Sequence, residues 1–446
     1  MIKKILIANR GEIVNRIIRT CEKFGIEAVA VYSDADKDME YIKNAAESYN
    51  IGSAAPIKSY LNIGAITEAI AKSGAEAVHP GYGFLSESAE FAAVVEGMGV
   101  KWIGPGSQVM KSIESKSYCR IAADAVGVPV TPGTVGIVSN VDDIYRIAHK
   151  VGLPVLLKLD KGGGGKGIEK IESLESREAV QDVFDRLKRI GAMAFASSDV
   201  YLEKQIASPK HIEVQFVADA RGDVICLGER ECSIQRRYQK IVEESPSAAV
   251  NEEDRLKLYD YTKRIVKAIA YTGVGTIEFL KGESGYFFME INARLQVEHP
   301  VSEMVTGLDL VEWQIRIADG ENLSFTQEDV RLGGHAIECR VYAEEPVTFT
   351  PSPGVITKLV FPEENDGALR IEHALHTGYV VTPFYDPMLC KLIALHNNRE
   401  ACIGVMKAAL EDMKIEGVST NIDVGLAVME DKRFISGGFS TDFFAG

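Results

Sequence analysis

Several signals that would point to a secreted or membrane protein are missing from this sequence. Its 446 residues include seven cysteines but no C-x-x-C pair, so we expect neither a disulfide framework nor a zinc site. No apolar stretch approaches the roughly 18 residues that a membrane-spanning helix needs, and the apolar run Ile5–Ala8 is too short for a signal peptide. The sequence therefore predicts a cytoplasmic protein with reduced thiols.

Positive charge is also scarce. The chain has 49 lysines and arginines against 64 aspartates and glutamates, which gives a formal net charge of -15. Nucleic-acid binding requires clustered lysines and arginines, so we expect no nucleic-acid partner. The hydrophobic content of 46% is ordinary for a soluble protein, and the length predicts two or three packed subdomains.

The first 114 residues lack the dinucleotide-binding pattern G-x-G-x-x-G but have strand and helix periodicity. Lys4–Ala8 and Ala28–Tyr32 are predicted strands, and helical spacing of apolar residues separates them. Strand, helix and strand in this order are typical of a parallel sheet. We predict an open parallel α/β domain at residues 1–114, with further helices near 62–73 and 86–98.

The pattern changes after residue 114. Pro129 and Pro132 suggest a boundary, and the segments between 211 and 292 have the character of antiparallel strands. The last part alternates short strands with helices around 399–413 and 420–430. We predict a central domain at residues 115–333 and a C-terminal α/β domain at residues 334–446.

A glycine run at Lys161–Gly167 lacks the serine or threonine that would follow the lysine of a Walker A motif. Four consecutive glycines cost backbone entropy, which favours a functional explanation. Their N–H groups can approach phosphate oxygens, and Lys158 and Lys166 add positive charge. The alternative is a flexible surface loop.

Two glutamates are predicted to face each other across a hairpin. Strands at Ile277–Leu280 and Tyr286–Asn292, joined by residues 281–285, would place Glu278 opposite Glu290 and put Asn292 on the same face. Opposed carboxylates repel unless a cation lies between them, so we predict a Mg²⁺ or Mn²⁺ site. The alternative is an exposed acidic face, and a one-residue slip would separate the carboxylates.

The next segment alternates Arg294, Gln296 and Glu298, which an extended chain would present on one side. A guanidinium, an amide and a carboxylate suit a small oxyanion with an abstractable proton, such as bicarbonate or a carboxylate substrate. His299 falls on the opposite side and is expected to be packed or hydrogen-bonded. The charged stretch 229–240 is either a solvated loop or a source of positive charge from Lys240 and its arginines.

Taken together, these segments resemble the biotin carboxylase family of ATP-grasp enzymes. The resemblance implies an ATP-grasp fold in which a mobile lid, at about residues 132–204, closes over the nucleotide. The matching segments are Ile7–Glu12, Lys58–Leu61, His79–Glu87, Gly162–Gly167, Arg236–Arg237 with Gln239–Lys240, Glu290–Pro300, Glu338–Arg340 and Pro351–Gly354.

The resemblance also implies a role for each site residue. ATP would be contacted by a set of lysines, glycines and polar groups: Lys116, Lys158, Gly164, Gly165 and His211, with Glu203, Lys204, Gln205 and Ile206 as the adenine hinge. Glu278, Glu290 and Asn292 would hold two metal ions. Bicarbonate would be held by Lys240, Arg294, Gln296 and Val297. Glu298 would be its general base, and Arg340 would stabilise the biotin enolate.

The implied reaction is the carboxylation of biotin with ATP and bicarbonate through carboxyphosphate. The chain contains no convincing biotin-attachment motif: Met413–Ile415 is the nearest string, and a helix C-terminus is its expected structure. The biotin carrier and the carboxyltransferase are therefore expected to be separate chains, in systems such as the acetyl-CoA carboxylase of fatty acid biosynthesis. The partner carboxyltransferase would choose the final acceptor, and the family commonly forms homodimers.

The chain departs from the usual family pattern at three places. Leu159, Asp160 and Lys161 replace an alanine, a small residue and a glycine, Ile168 stands where methionine is common, and Tyr238 replaces a histidine. Tyr238 could still offer the nucleotide a hydrogen bond. The alternatives to a biotin carboxylase are another acyl-phosphate-forming ATP-grasp ligase, which would not need the Arg340 motif, and a non-catalytic nucleotide sensor.

Overall fold

The computed structural model describes residues 2–162, 167–195, 197–364 and 367–445, and its first layer is an open parallel sheet. Helix α1 buries Ile13, Ile17 and Cys21 at helical spacing and ends at Gly25, where φ is 64°. The elements of this layer are β1 (Lys4–Ile7), α1 (Glu12–Phe24), β2 (Glu27–Tyr32), α2 (Glu40–Asn44), β3 (Glu47–Asn50), α3 (Ile63–Ser73), β4 (Ala77–His79), α4 (Ala89–Gly97) and β5 (Lys101–Trp102). Its strands pair in parallel in the order β3-β2-β1-β4-β5.

Two short helices then lead into a small lid. The lid sheet is antiparallel, with the order β7-β6-β8, and Leu157, Leu187 and Leu202 belong to its own apolar core. The elements are α5 (Ser107–Ile113), α6 (Lys116–Ala125), α7 (Val141–Val151), β6 (Val155–Leu159), β7 (Ile168–Ile171), α8 (Arg177–Phe195) and β8 (Val200–Lys204).

The centre of the molecule is an eight-stranded antiparallel sheet. Its first part contains β9 (Lys210–Ala218), β10 (Val224–Arg236), β11 (Gln239–Ser245), α9 (Glu252–Ala268), β12 (Gly273–Gly282), β13 (Gly285–Asn292), α10 (His299–Thr306) and α11 (Leu310–Ala318). Three strands from the last part of the chain complete it: β14 (His335–Tyr342), β17 (Leu369–His373) and β19 (Met388–His396). The order β13-β12-β9-β10-β11-β14-β19-β17 therefore crosses the predicted boundary at residue 333.

The remaining C-terminal elements pack beside this sheet. They are β15 (Gly354–Val355), β16 (Lys358–Val360), β18 (Val380–Val381), α12 (Arg399–Asp412), β20 (Lys414–Glu416), α13 (Ile422–Glu430) and α14 (Lys432–Ile435). Helix α12 ends at Asp412, and Lys414 already belongs to β20, which pairs with β16. The expectation of a helix C-terminus at Met413–Ile415 is therefore right only for its first residue. Among the helices that the structure describes, none is long and apolar enough to cross a membrane.

The structure corrects three sequence predictions. The charged stretch 229–240 is not a solvated loop, because β10 runs to Arg236 and is buried along its length. The hairpin strands are longer than predicted, so the turn shrinks to Glu283 and Ser284. The helix predicted from residue 86 begins at Ala89, where the Ser88 side chain accepts a hydrogen bond from the N–H of Phe91.

Candidate active site

A cleft of about 1440 Å³ lies where the parallel layer, the lid and the central sheet meet. Every predicted site residue within the described ranges lines it: Lys116, Lys158, Glu203, Lys204, Gln205, Ile206, His211, Tyr238, Lys240, Glu278, Glu290, Asn292, Arg294, Gln296, Val297, Glu298 and Arg340. Gly164, Gly165 and Lys166 lie outside the described residues. Residues that are far apart in sequence thus form one continuous lining.

The hairpin β12–β13 pairs Glu278 with Glu290, which confirms the predicted opposition. A register shift between Glu278 and Phe279 produces this alignment, because Phe279 pairs with Phe288 and Met289 is left as the extra residue of a bulge. Without the bulge, Glu278 would pair with Met289. The bulge therefore shifts the register so that the two carboxylates lie opposite each other.

Nitrogen-bearing side chains surround this pair. The side-chain amide of Asn292 donates to Glu278 at 2.9 Å, and Lys116 forms an ion pair with Glu290. His211 Nε2 lies 2.9 Å from Glu278. Burial opposes ionisation of Glu278, but its neighbours Lys240 and His211 hold its pKa well below the usual value. Two carboxylates and an amide oxygen fit Mg²⁺ or Mn²⁺.

Lys240 lies at the centre of an ion cluster. Its Nζ is 2.7 Å from Glu213, 3.1 Å from Glu278 and 2.5 Å from Glu298. Burial opposes the charge of Lys240, but the acidic groups around it raise its pKa well above the usual value. The cluster therefore joins the predicted metal residue Glu278 to the predicted base Glu298 through one ammonium group.

Arg340 continues the cluster on the opposite side of Glu298. Its Nη2 donates to Glu298 at 2.8 Å and also pairs with Glu243. Burial raises the pKa of Glu298, but Lys240 and Arg340 outweigh it and hold that pKa well below the usual value. Glu298 is therefore ionised and forms ion pairs with Lys240 through one oxygen and with Arg340 through the other.

The segment after the hairpin is not the extended strand that the alternation predicted. Val297 and Glu298 form a turn, and Glu298 directly precedes helix α10. Arg294, Gln296 and Glu298 nevertheless line the same cleft, because the turn brings Glu298 back towards it. His299 is fully buried, and its Nδ1 lies 2.7 Å from the carbonyl of Gln296, as expected for a packed histidine.

On the lid side, the predicted nucleotide residues are held by protein partners. Glu203 pairs with Lys158 and with Arg120, and it accepts a hydrogen bond from the Thr131 hydroxyl at 2.9 Å. The ammonium of Lys204 donates to the carbonyl of Leu153 at 2.6 Å. Glu203 and Lys204 are therefore held in place by partners within the protein.

The hairpin β10–β11 carries Tyr238 at its tip. Arg236 pairs with Gln239, so Arg237 and Tyr238 form a two-residue turn with φ values of 50° and 66°. Tyr238 is 61% exposed and borders the cleft, so it is not packed into the protein. Arg236 is bound to Glu344 and lies over the ring of Phe349, so its charge is already neutralised.

Several residues of the site were missed in the sequence. Glu213, Arg230, Glu243, Glu338 and Lys391 are all fully or almost fully buried in the polar face of the central sheet. For Glu213 a signal exists, since polar residues alternate with apolar ones along β9. Arg230 forms hydrogen bonds with Glu213, Gln215 and Gln296. It was missed because the many charged residues at 229–240 hid the strand pattern of β10.

Comparison with known proteins identifies relatives over the whole chain. The family models for the biotin carboxylase N-terminal domain and the biotin carboxylase C-terminal domain match residues 1–110 and 338–446. The model for the ATP binding domain of the carbamoyl-phosphate synthase L chain matches residues 115–326. Biotin carboxylase 1 of Bacillus subtilis is 46% identical over 449 aligned positions, covering 99% of this chain and 98% of that protein.

Two solved structures share the complete fold. A biotin carboxylase–β,γ-ATP complex from Campylobacter jejuni has a TM-score of 0.96 at 42% identity, covering 100% of this chain and 99% of that one. The biotin carboxylase domain dimer of the Hydrogenobacter thermophilus 2-oxoglutarate carboxylase, bound to MgADP, ADP and bicarbonate, also has a TM-score of 0.96. Its identity is 43%, with 100% of this chain and 97% of that chain covered.

Proposed function

The chain belongs to the biotin carboxylase family, and from this premise we propose how its cleft carboxylates biotin with ATP and bicarbonate. The enzyme is an ATP-dependent ligase. Bicarbonate attacks the γ-phosphorus of ATP, which forms carboxyphosphate and releases ADP. Carboxyphosphate then decomposes to CO₂ and phosphate, the phosphate removes the proton from the biotin nitrogen, and the resulting nucleophile takes up the CO₂.

The observation that carries this proposal is the ion cluster around Lys240. In this cluster Lys240, which we assign to bicarbonate, lies beside Glu278 of the carboxylate pair, so bicarbonate and the nucleotide phosphates would meet at one point of the cleft. We assign Lys240, Arg294, Gln296 and Val297 to bicarbonate. Because Lys240 is positive and Glu298 is ionised, one group can hold the anion while the other accepts its proton.

Glu298 becomes a stronger base when its partners change. In the structure two cations, Lys240 and Arg340, lower its proton affinity. An incoming bicarbonate would draw Lys240 towards itself, and a developing biotin enolate would draw Arg340. Each movement weakens one of the two ion pairs of Glu298, so the proton affinity of Glu298 rises when the substrates bind.

The metal-binding role is assigned to Glu278, Glu290 and Asn292. When bound there, Mg²⁺ or Mn²⁺ would neutralise charge on the ATP phosphates. On the lid side, Lys116, Lys158, His211 and Tyr238 would contact the nucleotide, and the adenine would lie along Glu203, Lys204, Gln205 and Ile206. For Gly164 and Gly165 we retain the phosphate contact that the family resemblance implies.

We further propose that the biotin carrier and the carboxyltransferase are separate chains and that the protein forms a homodimer. A dimer is supported by the related domain dimer from Hydrogenobacter thermophilus. A cytoplasmic location is supported by the seven cysteines, which are buried thiols without a disulfide partner. The partner carboxyltransferase determines the acceptor of the carboxyl group.

ATP cleavage tests this assignment directly. We expect ADP formation to require bicarbonate and Mg²⁺ and to rise when free biotin is added. Cleavage that needs bicarbonate but ignores biotin would indicate another acyl-phosphate-forming ligase. Nucleotide binding without cleavage, by a protein shown to be folded, would indicate a nucleotide sensor.

A further inference from the structure

Helix α6 begins at Lys116, and its first backbone N–H groups find acceptors outside the helix. The N–H of Lys116 donates to the carbonyl of Asp160 at 3.2 Å, and the N–H of Ser117 donates to the Asp160 carboxylate at 2.7 Å. The N–H of Tyr118 donates to the Ser115 hydroxyl at 3.1 Å. A helix leaves its first four N–H groups unsatisfied, and Asp160 alone satisfies two of them here.

Asp160 is itself fixed from the lid side. It follows directly after strand β6, its carboxylate is buried, and its own N–H donates to the carbonyl of Asp199 at 2.9 Å. Leu159 is buried against Gly167 and Gly191, where an added Cβ would meet the leucine side chain. Lys161 contacts Glu114 at 3.3 Å, just before the helix. Leu159 anchors this segment to the lid, and Asp160 and Lys161 reach the start of α6.

The consequence concerns the side chain of Lys116. As the first residue of α6, Lys116 forms an ion pair with Glu290 in the metal-binding hairpin. Its Cα position depends on how the first turn of α6 is held, and that turn is held through Asp160. A carboxylate at the N-terminus of a helix also interacts favourably with the helix dipole.

We propose that Asp160 is a positioning residue that fixes Lys116 for its contact with ATP. The inference rests on the proposed nucleotide role of Lys116. Asp160 stands at one of the positions where the chain departs from the usual family pattern, which has a small residue there. Asp160 does not touch the reacting atoms and acts through the helix start.

Replacing the carboxylate tests the proposal. In Asp160→Ala the KM for ATP is expected to rise roughly 3- to 10-fold, because the lysine loses its fixed position, with kcat changed less than about twofold. The KM for bicarbonate should stay unchanged. Asp160→Asn keeps an oxygen acceptor for the Ser117 N–H and should restore most of the ATP affinity. If Asp160→Ala does not fold, Asp160→Val, which also lacks a hydrogen-bond acceptor, serves in its place.

A matched control removes a helix cap outside the cleft lining. Asn398 accepts a hydrogen bond from the Ala401 N–H at 2.9 Å at the start of α12, so Asn398→Ala should lower Tm without altering the KM for ATP. An equal rise of that KM in Asn398→Ala would overturn the positioning role, because general loss of stability would then explain both variants.

The double variant Lys116→Ala/Asp160→Ala separates this inference from the proposed function. If Asp160 acts through Lys116, the double variant should bind ATP no more weakly than Lys116→Ala alone. Fully additive losses would overturn the positioning role. Unchanged ATP kinetics in Lys116→Ala would instead refute the nucleotide role of the lysine, whatever Asp160 does. A raised KM in Lys116→Ala with none in Asp160→Ala would refute the inference alone.

Discussion

Two pairs of glutamates face each other across strands of the same sheet, and their surroundings differ. Glu278 and Glu290 are opposed between β12 and β13, while Glu243 and Glu338 are opposed between β11 and β14. The first pair borders the open cleft and has Lys116, Lys240 and His211 as neighbours. The second pair is completely buried, and Glu243 forms an ion pair with Arg340.

In the same register, the pKa of Glu278 is therefore shifted in the opposite direction from the pKa values of Glu243 and Glu338. The cations beside Glu278 hold its pKa well below the usual value despite burial. Burial raises the pKa of Glu243 to about 7 and that of Glu338 well above its usual value, and Arg340 reverses neither shift. Nearby cations favour the ionised form of opposed carboxylates, which is the form that binds a metal. A pair without enough cations keeps a proton instead.

The largest effect is expected from breaking the ionised pair. Glu290→Gln removes one charge from the proposed metal site and should lower kcat by roughly 10²-fold or more, since metal and electrostatic contributions to catalysis are each worth a few kcal/mol. Folding should survive, because opposed carboxylates do not stabilise the hairpin. Steady-state kinetics with varied Mg²⁺ checks the loss of activity, and a thermal scan checks folding.

A control for Glu290→Gln lies in the same hairpin. Glu283→Gln removes an equal charge from the exposed turn and should leave turnover unchanged. Near-wild-type turnover of Glu290→Gln would mean that the pair does not hold the metal. Equal losses in both variants would point to net charge and not to the pair.

The ionised pair was predictable from the sequence, and the protonated pair was not. Glu278 and Glu290 belong to one hairpin, so alternation and a short turn predict that they lie near each other, although the bulge at Met289 that aligns them is not visible in the sequence. Glu243 and Glu338 meet only because β11 pairs with β14 after a long excursion of the chain. Local pattern contains no information on such a pairing.

The fold also divides into elements that local sequence predicts and elements that depend on non-local pairing. Most of the parallel layer was predicted, since β1, β2 and β4 are short, apolar and followed by a helix. The polar edge strand β3 was not predicted. The joining of β14, β17 and β19 to the central sheet was not, because it depends on non-local pairing. The charged stretch at 229–240 was misleading for a related reason: its charges are buried against partners such as Glu213 and Glu344, which lie elsewhere in the chain.

An intermediate effect is expected at the protonated pair, and it concerns stability. A raised pKa means that the folded state binds more protons than the unfolded state between about pH 4.5 and 7. The stabilisation is complete below the unfolded value and is lost as the pH rises through 7. Glu243→Gln removes this proton uptake and should flatten the pH dependence of the unfolding free energy, by up to about 3 kcal/mol over the window.

Urea unfolding at several pH values between 5 and 8 measures this dependence. Glu303→Gln is a useful contrast, because burial raises the pKa of Glu303 but Arg16 and Arg370 outweigh it and lower the pKa to about 2. Its stabilisation is lost only as the pH falls below about 4.5, so it should leave the slope above pH 5 unchanged. A wild-type slope in Glu243→Gln would show that the buried pair does not hold the proton.

The smallest effect is expected at Tyr238, a neutral group that belongs to neither pair. Its hydroxyl can give the nucleotide one hydrogen bond but no positive charge, so Tyr238→Phe should lose about 0.5–1.5 kcal/mol of ATP binding. That loss corresponds to a KM for ATP roughly 2- to 12-fold higher with kcat little changed. Tyr145→Phe is the control, since it also loses one tyrosine hydrogen bond, to the carbonyl of Leu174 in the lid. Tyr238→His should stay active and make ATP binding depend on pH near neutrality, where a histidine gains charge. Unchanged ATP kinetics in Tyr238→Phe would remove the residue from the nucleotide site, and a hundredfold fall in kcat would make it a catalytic group.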